Sequence, residues 1–225
     1  MLTLGIDDAG RGPVIGPMVL AGCLVDEQTE KELKKLGVKD SKKLTQKRRE
    51  FLVEEIKKKA EAFEVTRAFP DEIDGNNYTG TNLNDVEAIM TAEIINKINK
   101  GFAKLRVIVD CPSPSIEKWR DFLKTKIDNL SNLDLICEHK ADVNHVSVSA
   151  ASIIAKIVRE KEMDILKQKY GDEIGSGYCS DKKTTKFLED NVIKLKKDGL
   201  FRKTWKTCQN AEAKKQQTKL SGFEK

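Results

Sequence analysis

Four aspartates, Asp7, Asp8, Asp110 and Asp142, fall where chain geometry gathers side chains. Asp7 and Asp8 follow the first apolar run, Leu2 to Ile6, which reads as a strand. Asp110 ends the clearest buried strand pattern, Leu105 to Val109. Asp142 stands in a polar stretch after a further run, Leu133 to Cys137, just ahead of a long helical pattern. Ligand sites in open α/β sheets collect at the carboxyl ends of parallel strands, so these acids converge if the first and fourth strands are neighbours. Carboxylates packed together repel unless a cation neutralises them. Oxygen ligands without His or Cys suit magnesium or manganese. Two such ions, roughly 3.5–4 Å apart, activate a water and stabilise the leaving oxygen at a phosphodiester. A plainer reading stands beside this one. Aspartates at strand ends form turns and cap helices, and Asp110 and Asp142 each precede a helical segment.

Gly10, Arg11 and Gly12 follow the aspartate pair directly. Glycines let backbone amides approach a sugar or phosphate, and arginine binds phosphate. The same three residues also suit a tight hairpin turn. They are not the phosphate loop of nucleoside triphosphatases, because the Gly-Lys-Ser/Thr ending is missing. Lys42 and Lys43 are candidate phosphate contacts, although lone lysines are usually just solvated. Tyr178, in the loop GSGYCSD, offers a ring for stacking on a sugar or base, or for filling a core gap. Trp205, between Lys203 and Lys206, reads as core. His139 and His145 have no zinc-like spacing to cysteine.

The elements that must position these residues follow from periodicity. Met18 to Val25 predicts a second strand, antiparallel to the first across the glycine turn. Asp40 to Thr45 is a polar loop, and Thr45 caps a predicted helix reaching Ala60. Phe63 to Phe69 predicts a third strand ended by Pro70. Val86, Ile89, Met90, Ile94 and Ile98 predict a helix from about Asn84 to Lys100, with Asn84 and Glu87 as a capping pair. Further helices are expected over Ile116 to Ile127, Val148 to Tyr170 and Lys182 to Lys197. Small residues open the second of these, allowing close packing on a sheet. The order implies an α/β fold, a mixed sheet with helices on both sides. From about Gln209 the chain is polar and charged and is expected to be disordered when free.

Bulk properties exclude some functions. Lys and Arg total 41 against 36 acids, giving +5, a mild excess compatible with a polyanionic partner. Five cysteines without a CxxC pair, and no signal peptide, predict a reduced cytoplasmic setting. No apolar run approaches the roughly 20 residues of a membrane helix.

GIDDAGRGPVIGPMV near the start resembles the opening signature of type 2 ribonucleases H (ribonuclease HII), of the archaeal kind. DSKKLT from Asp40, VDCPS around Asp110, EHKAD ending at Asp142, SAASIIAKIVRE from Ser149 and GSGYCSD around Tyr178 match in the same order, over Thr3 to Cys208. The resemblance implies a ribonuclease H-like fold, a five-stranded mixed sheet flanked by helices with a small helical C-terminal part. It implies a catalytic core over residues 1–170, a helical part over 171–208 completing the substrate cleft, and a flexible tail over 209–225. It implies metal ligation and catalysis by Asp7, Asp8, Asp110 and Asp142 with two Mg2+ or Mn2+ ions. Gly10, Arg11 and Gly12 would recognise the ribose 2′-hydroxyl, the group that tells RNA from DNA, and Tyr178 would stack on the following deoxyribose. The implied substrates are RNA–DNA hybrids and DNA containing ribonucleotides. Cleavage on the 5′ side of the ribonucleotide leaves a 3′-hydroxyl and a 5′-phosphate, serving ribonucleotide and primer removal. A monomer is expected.

Four positions depart from that pattern. Asp8 stands where the family has glutamate, His145-Val146 replaces Tyr-Pro, and Cys179 replaces proline. The shorter acid leaves an alternative, a weakened or non-catalytic hybrid binder. A junction resolvase on the same fold is the other rival, and the glycine turn argues against it, because a 2′-hydroxyl reader is useless on DNA. In the tail, Gln217, Leu220 and Phe223 resemble a clamp-binding box in a form with one aromatic, which implies a sliding clamp as partner.

Overall fold

The computed structural model describes residues 1–39, 44–101 and 103–221, with side chains to residue 217. Its strands are β1 (Leu2–Ala9), β2 (Met18–Val25), β3 (Ala62–Ala68), β4 (Leu105–Asp110) and β5 (Leu133–Glu138). The helices are α1 (Glu27–Lys35), α2 (Gln46–Lys59), α3 (Pro70–Tyr78), α4 (Leu83–Ile98), α5 (Ile116–Lys124), α6 (Ala141–Asn144), α7 (Val146–Tyr170), α8 (Lys182–Asn191) and α9 (Lys206–Ser221). The sheet order is β3-β2-β1-β4-β5. β1 runs antiparallel to β2 and parallel to β4, and β4 runs parallel to β5. This is the expected five-stranded mixed sheet, with the first and fourth strands adjacent.

The chain forms two compact units. The first comprises Met1–Ala9, Val19–Arg67 and Asn82–Val158, and the second Gly10–Met18, Ala68–Thr81 and Arg159–Lys225. The units interleave along the chain, and their boundary in α7 falls at Val158, earlier than the expected break at residue 170.

In the first unit, β1 and β2 bury Ala9, Val19, Ala21, Cys23 and Val25 on one face, against Leu33 of α1, Leu52, Val53 and Ile56 of α2, and Ala150 to Ile157 of α7. On the opposite face Leu4 and Ile6 flank Gly22, which lies against Ile94 of α4. α7 approaches β1 closely at Gly5, where an added Cβ would lie 2.1 Å from the carbonyl carbon of Ser147. Ser147, Ala150, Ala151 and Ser152 are all fully buried there, so small residues on both sides set the helix-to-sheet distance.

Helix ends follow side-chain capping. The Thr45 hydroxyl accepts from the Arg48 amide at 3.3 Å, as expected. In α4 the cap is Asn82, whose Oδ1 accepts from Asn84 and Asp85 amides at 2.9 and 3.2 Å. The expected Asn84–Glu87 capping pair is therefore incorrect, and Glu87 is buried inside the fold.

The second unit has its own core of Val14, Ile15, Met163, Ile174, Phe187, Leu188, Val192, Leu200, Phe201, Cys208 and Ala211. The expected helix to Lys197 ends at Asn191. The segment from Gln209 is corrected too. It continues α9 because Ala211 packs into this core, while Lys214–Glu189 and Lys215–Asp190 pairs tie it to α8 at 3.2 and 3.9 Å. None of the five cysteines forms a disulfide. Among the described residues no helix is long and apolar enough to cross a membrane.

Candidate active site: a carboxylate group and a glycine loop

β1 continues past Ile6 because Asp7, Asp8 and Ala9 still pair with Ala21, Leu20 and Val19 of β2. Asp7 and Asp8 thus lie inside a strand, beyond the expected end at Ile6. Ile6 is in register with Val109 of β4, so Asp7 and Asp110, one residue on, stand at the same level. Paired residues in parallel strands share a face, which puts both carboxylates on the side covered by α7.

The third acid arrives by a tight turn. Lys140 adopts a left-handed backbone, φ 60°, ψ 33°, and turns the chain from β5 into α6. The amide of Ala141 then donates to Asp110 Oδ1 at 3.1 Å. Asp110 therefore does cap a helix start, though it is α6 rather than the helix that follows it in sequence. Asp142, expected in a loop, is the second residue of α6 and is 2% exposed. Glu138, in register with Asp110, holds α6 from the other side: its Oε1 accepts from Asn144 Nδ2 at 3.2 Å and lies 2.9 Å from His145 Nε2.

Carboxylate oxygens of Asp7, Asp110 and Asp142 all lie within 4.8 Å of one another. Burial raises the Asp7 pKa well above the ordinary carboxylate range, and the charges of Asp8 and Asp110 add to the effect. Hydrogen bonds from the Ser152 hydroxyl and the Asp8 amide, the latter at 2.8 Å, pull the other way. Three convergent carboxylates with this cost fit a hard divalent cation, which would relieve both desolvation and repulsion. Asp8 is not in this group of three. Strand alternation turns its side chain from Asp7's face, although its charge is felt there.

The second unit carries the glycine loop. Gly10 has φ +83°, and a Cβ there would lie 2.3 Å from the Arg159 side chain and 2.8 Å from the Pro17 carbonyl oxygen. Residues 10–17 form no tight hairpin turn. Arg202, fully buried, donates to the carbonyls of Gly10 and Arg11, each at 2.6 Å, and of Gly16 at 3.0 and 3.2 Å. Trp205 Nε1 donates to the Gly12 carbonyl at 3.3 Å. Trp205 is thus partly core, as expected, and also touches the loop.

The GSGYCSD loop is tied to the same strand of chain. Gly177 O accepts from Val14 N at 2.9 Å, and its amide donates to Thr184 Oγ1 at 3.0 Å. Arg159 Nη2 donates to Ser176 O at 3.1 Å, and the guanidinium lies 4.9 Å from the Tyr178 ring centroid. Burial lowers the Arg159 pKa. Tyr178 is 40% exposed, which removes the core-filling reading and leaves a ring backed by a cation, suited to stacking.

Lys42, Lys43 and Phe223 lie outside the described residues, as does the side chain of Leu220. Gln217 is exposed on α9. Sequence reasoning missed Ser152, Glu138, Arg159 and Arg202. The first three stand inside quoted motifs and were open to notice. Arg202 follows no motif, and its signal is an arginine directly after the apolar pair Leu200-Phe201.

A family model described as Ribonuclease HII matches residues 4–208. The chain is 42% identical to Ribonuclease HII of Methanocaldococcus jannaschii, over 98% of this chain and 99% of that one. It superposes on the crystal structure of ribonuclease H2 from Pyrococcus horikoshii with a TM-score of 0.84 at 35% identity, covering 95% and 98% of the two chains. It also resembles the ribonuclease HII in a PCNA:RNase HII complex from Archaeoglobus fulgidus, with a TM-score of 0.79 at 39% identity over 92% and 96%.

Proposed function

The chain belongs to the ribonuclease HII family of ribonuclease H endonucleases, and on that premise we propose that it hydrolyses the phosphodiester on the 5′ side of ribonucleotides in RNA–DNA hybrids or duplex DNA. The observation that carries this reading is the convergence of Asp7, Asp110 and Asp142 within 4.8 Å. These three would hold divalent cations, Mg2+ or Mn2+, with Asp8 as a further ligand. Two bound ions would supply Lewis-acid activation of water and neutralise charge at the phosphate. The protein's own part is positional. Ser152 and the Asp8 amide fix the Asp7 carboxylate, and Asp110 and Glu138 fix the α6 turn that carries Asp142. Gly10, Arg11 and Gly12 read the 2′-hydroxyl, Tyr178 stacks on the next deoxyribose, and Lys42 and Lys43 bind phosphate. Products carry a 3′-hydroxyl and a 5′-phosphate, which suits ribonucleotide and primer removal. The group of three assembles without Asp8, and the cleavage assay separates an active enzyme from the alternative of a weakened or non-catalytic hybrid binder.

The relative from Archaeoglobus fulgidus was solved in complex with PCNA. By analogy, Gln217, Leu220 and Phe223 here would engage a sliding clamp. Residues three apart share a helix face, and α9 runs through the first two positions.

End-labelled DNA duplexes, with and without one embedded ribonucleotide, test the central reading in Mg2+ and then in Mn2+. A single cut 5′ of the ribonucleotide, absent from all-DNA duplex, supports it. Equal cutting of both duplexes would point to a resolvase-like nuclease, and metal-stimulated binding without cutting to a hybrid binder.

A further inference from the structure

We infer that Arg202 is a positioning residue for ribonucleotide recognition, holding the Gly10–Gly16 loop in the shape that meets the 2′-hydroxyl. The inference rests on the reading that this loop recognises ribose. An arginine with no exposed surface is costly unless its donors are matched, and here three carbonyls of one loop accept from them. Nη2 donates to Gly10 O, Nη1 to Arg11 O, and Nε and Nη2 to Gly16 O. The Arg202 amide adds a bond to Val14 O at 2.9 Å.

This pattern has a directional consequence. A trans peptide points its N–H opposite to its C=O. With the Gly10 and Arg11 carbonyls turned toward the guanidinium, the amides of Arg11 and Gly12 are directed away from it. Trp205 fixes the next carbonyl, Gly12, and residue 13 is proline with no N–H to offer. The loop's outward donors are therefore two successive amides, the arrangement that suits a hydroxyl oxygen. Among the described residues, a Cβ on Gly12 would meet nothing within 4 Å.

Arg202 is itself held from two sides. The Trp205 ring lies 5.0 Å from its guanidinium carbon. Asp74 of α3, 2% exposed, accepts from the Lys203 amide at 2.7 Å, the Thr204 amide at 2.9 Å and the Thr204 hydroxyl at 2.6 Å. The turn after Arg202 is thereby fixed to a helix, and the guanidinium to the loop.

The test compares wild type, Arg202→Lys and Trp205→Phe on a duplex with one ribonucleotide and on the same duplex with a 2′-fluoro nucleotide there. Lysine keeps the charge but loses the planar fork. Manganese affinity and thermal melting are measured alongside. For Arg202→Lys, KM on the ribonucleotide duplex is expected to rise about tenfold, on the scale of a lost charge-assisted bond, and the ribo-over-fluoro preference to fall with it. Trp205→Phe should move both in the same direction by about two- to threefold, as for a weaker neutral bond. Manganese affinity should not change. A merely structural role would lower the folded fraction while leaving the preference of that fraction intact. Folded Arg202→Lys with wild-type KM and preference overturns the inference. If that variant does not fold, unchanged preference in Trp205→Phe overturns it. A wild type with no ribo-over-fluoro preference overturns the loop reading itself, and the inference with it.

Discussion

The carboxylate group and the glycine loop are both assembled by burying charge, but in opposite senses. In the first unit three acids are brought together by strand register and a left-handed turn, and the charges of Asp8 and Asp110 bear on Asp7. Burial and like charge raise the Asp7 pKa, so the ionised carboxylate costs stability, a cost that a bound cation would relieve. In the second unit the buried charge of Arg202 is matched by carbonyls of the loop it shapes. In the proposed reading one site is poised to bind a cation, while the buried charge of the other is already satisfied. The difference teaches which substitutions should harm folding and which should harm only chemistry.

The largest effect is expected at the poised site. Asp110→Asn should cut turnover by at least about 100-fold, since even outer-shell partners of metal ligands cost 10–100-fold. Folding should be nearly unaffected, because the amide oxygen can still accept from Ala141. Steady-state kinetics with a melting curve check both. Near-normal turnover in the folded variant would remove the proposed site, and the same comparison applies to Asp142→Asn.

Asp7→Asn should stabilise the metal-free protein at neutral pH, raising Tm by about 2–4 °C for each 1 kcal/mol recovered in a chain of this size. A raised carboxyl pKa means the folded state holds the proton more tightly than the unfolded state does. Its contribution is present below the ordinary carboxylate value and is lost as pH rises through the raised one. Without metal, wild-type stability should therefore decline relative to Asp7→Asn across that window. Added Mn2+ should raise the wild-type Tm more than the variant's. Calorimetry at several pH values, with and without chelator, decides it. A lower Tm for the variant in chelator contradicts the poised-site picture.

Asp8→Glu should raise activity by about two- to fivefold, most visibly in Mg2+, the more exacting of the two ions in geometry. Asp8 lies outside the group of three, and glutamate would reach one methylene further. An unchanged or lower rate would show that the neighbouring backbone already compensates.

The smallest effect is expected from the tail. Removing residues 217–225 should leave cleavage of short duplexes unchanged while abolishing stimulation by a clamp loaded on DNA. The cut must follow Gln216, because Cys208 and Ala211 belong to the second unit's core. Loss of basal activity on truncation, or retained stimulation, would contradict the clamp reading.

Much of the first unit was legible in the sequence. Met18 to Val25 is the second strand to the residue, and Thr45 caps its helix, because uninterrupted apolar runs and capping hydroxyls are local signals. The segments that escaped owe their shape to tertiary partners. α1 buries only Leu33, too little for a periodic stripe. α3 contains Gly75 and two asparagines, and its Asp74 is engaged by Lys203 and Thr204, residues far along the chain. α9 is polar on most sides and is kept by a narrow contact at Cys208 and Ala211. In the site, four acids could be named from sequence, but not that Asp142 sits in a helix begun by Asp110's own bond, nor that Asp8 stands apart. Those facts depend on register and a single left-handed residue, Lys140.

The central claim is that Asp7, Asp110 and Asp142 hold the catalytic cation. Crystals of the full chain soaked in Mn2+, with anomalous scattering recorded at the manganese edge, test it most directly. The account predicts a manganese peak within ligand distance of oxygens from all three carboxylates, absent in Asp110→Asn crystals. Manganese bound only elsewhere, in a protein that still cuts beside a ribonucleotide, would contradict it.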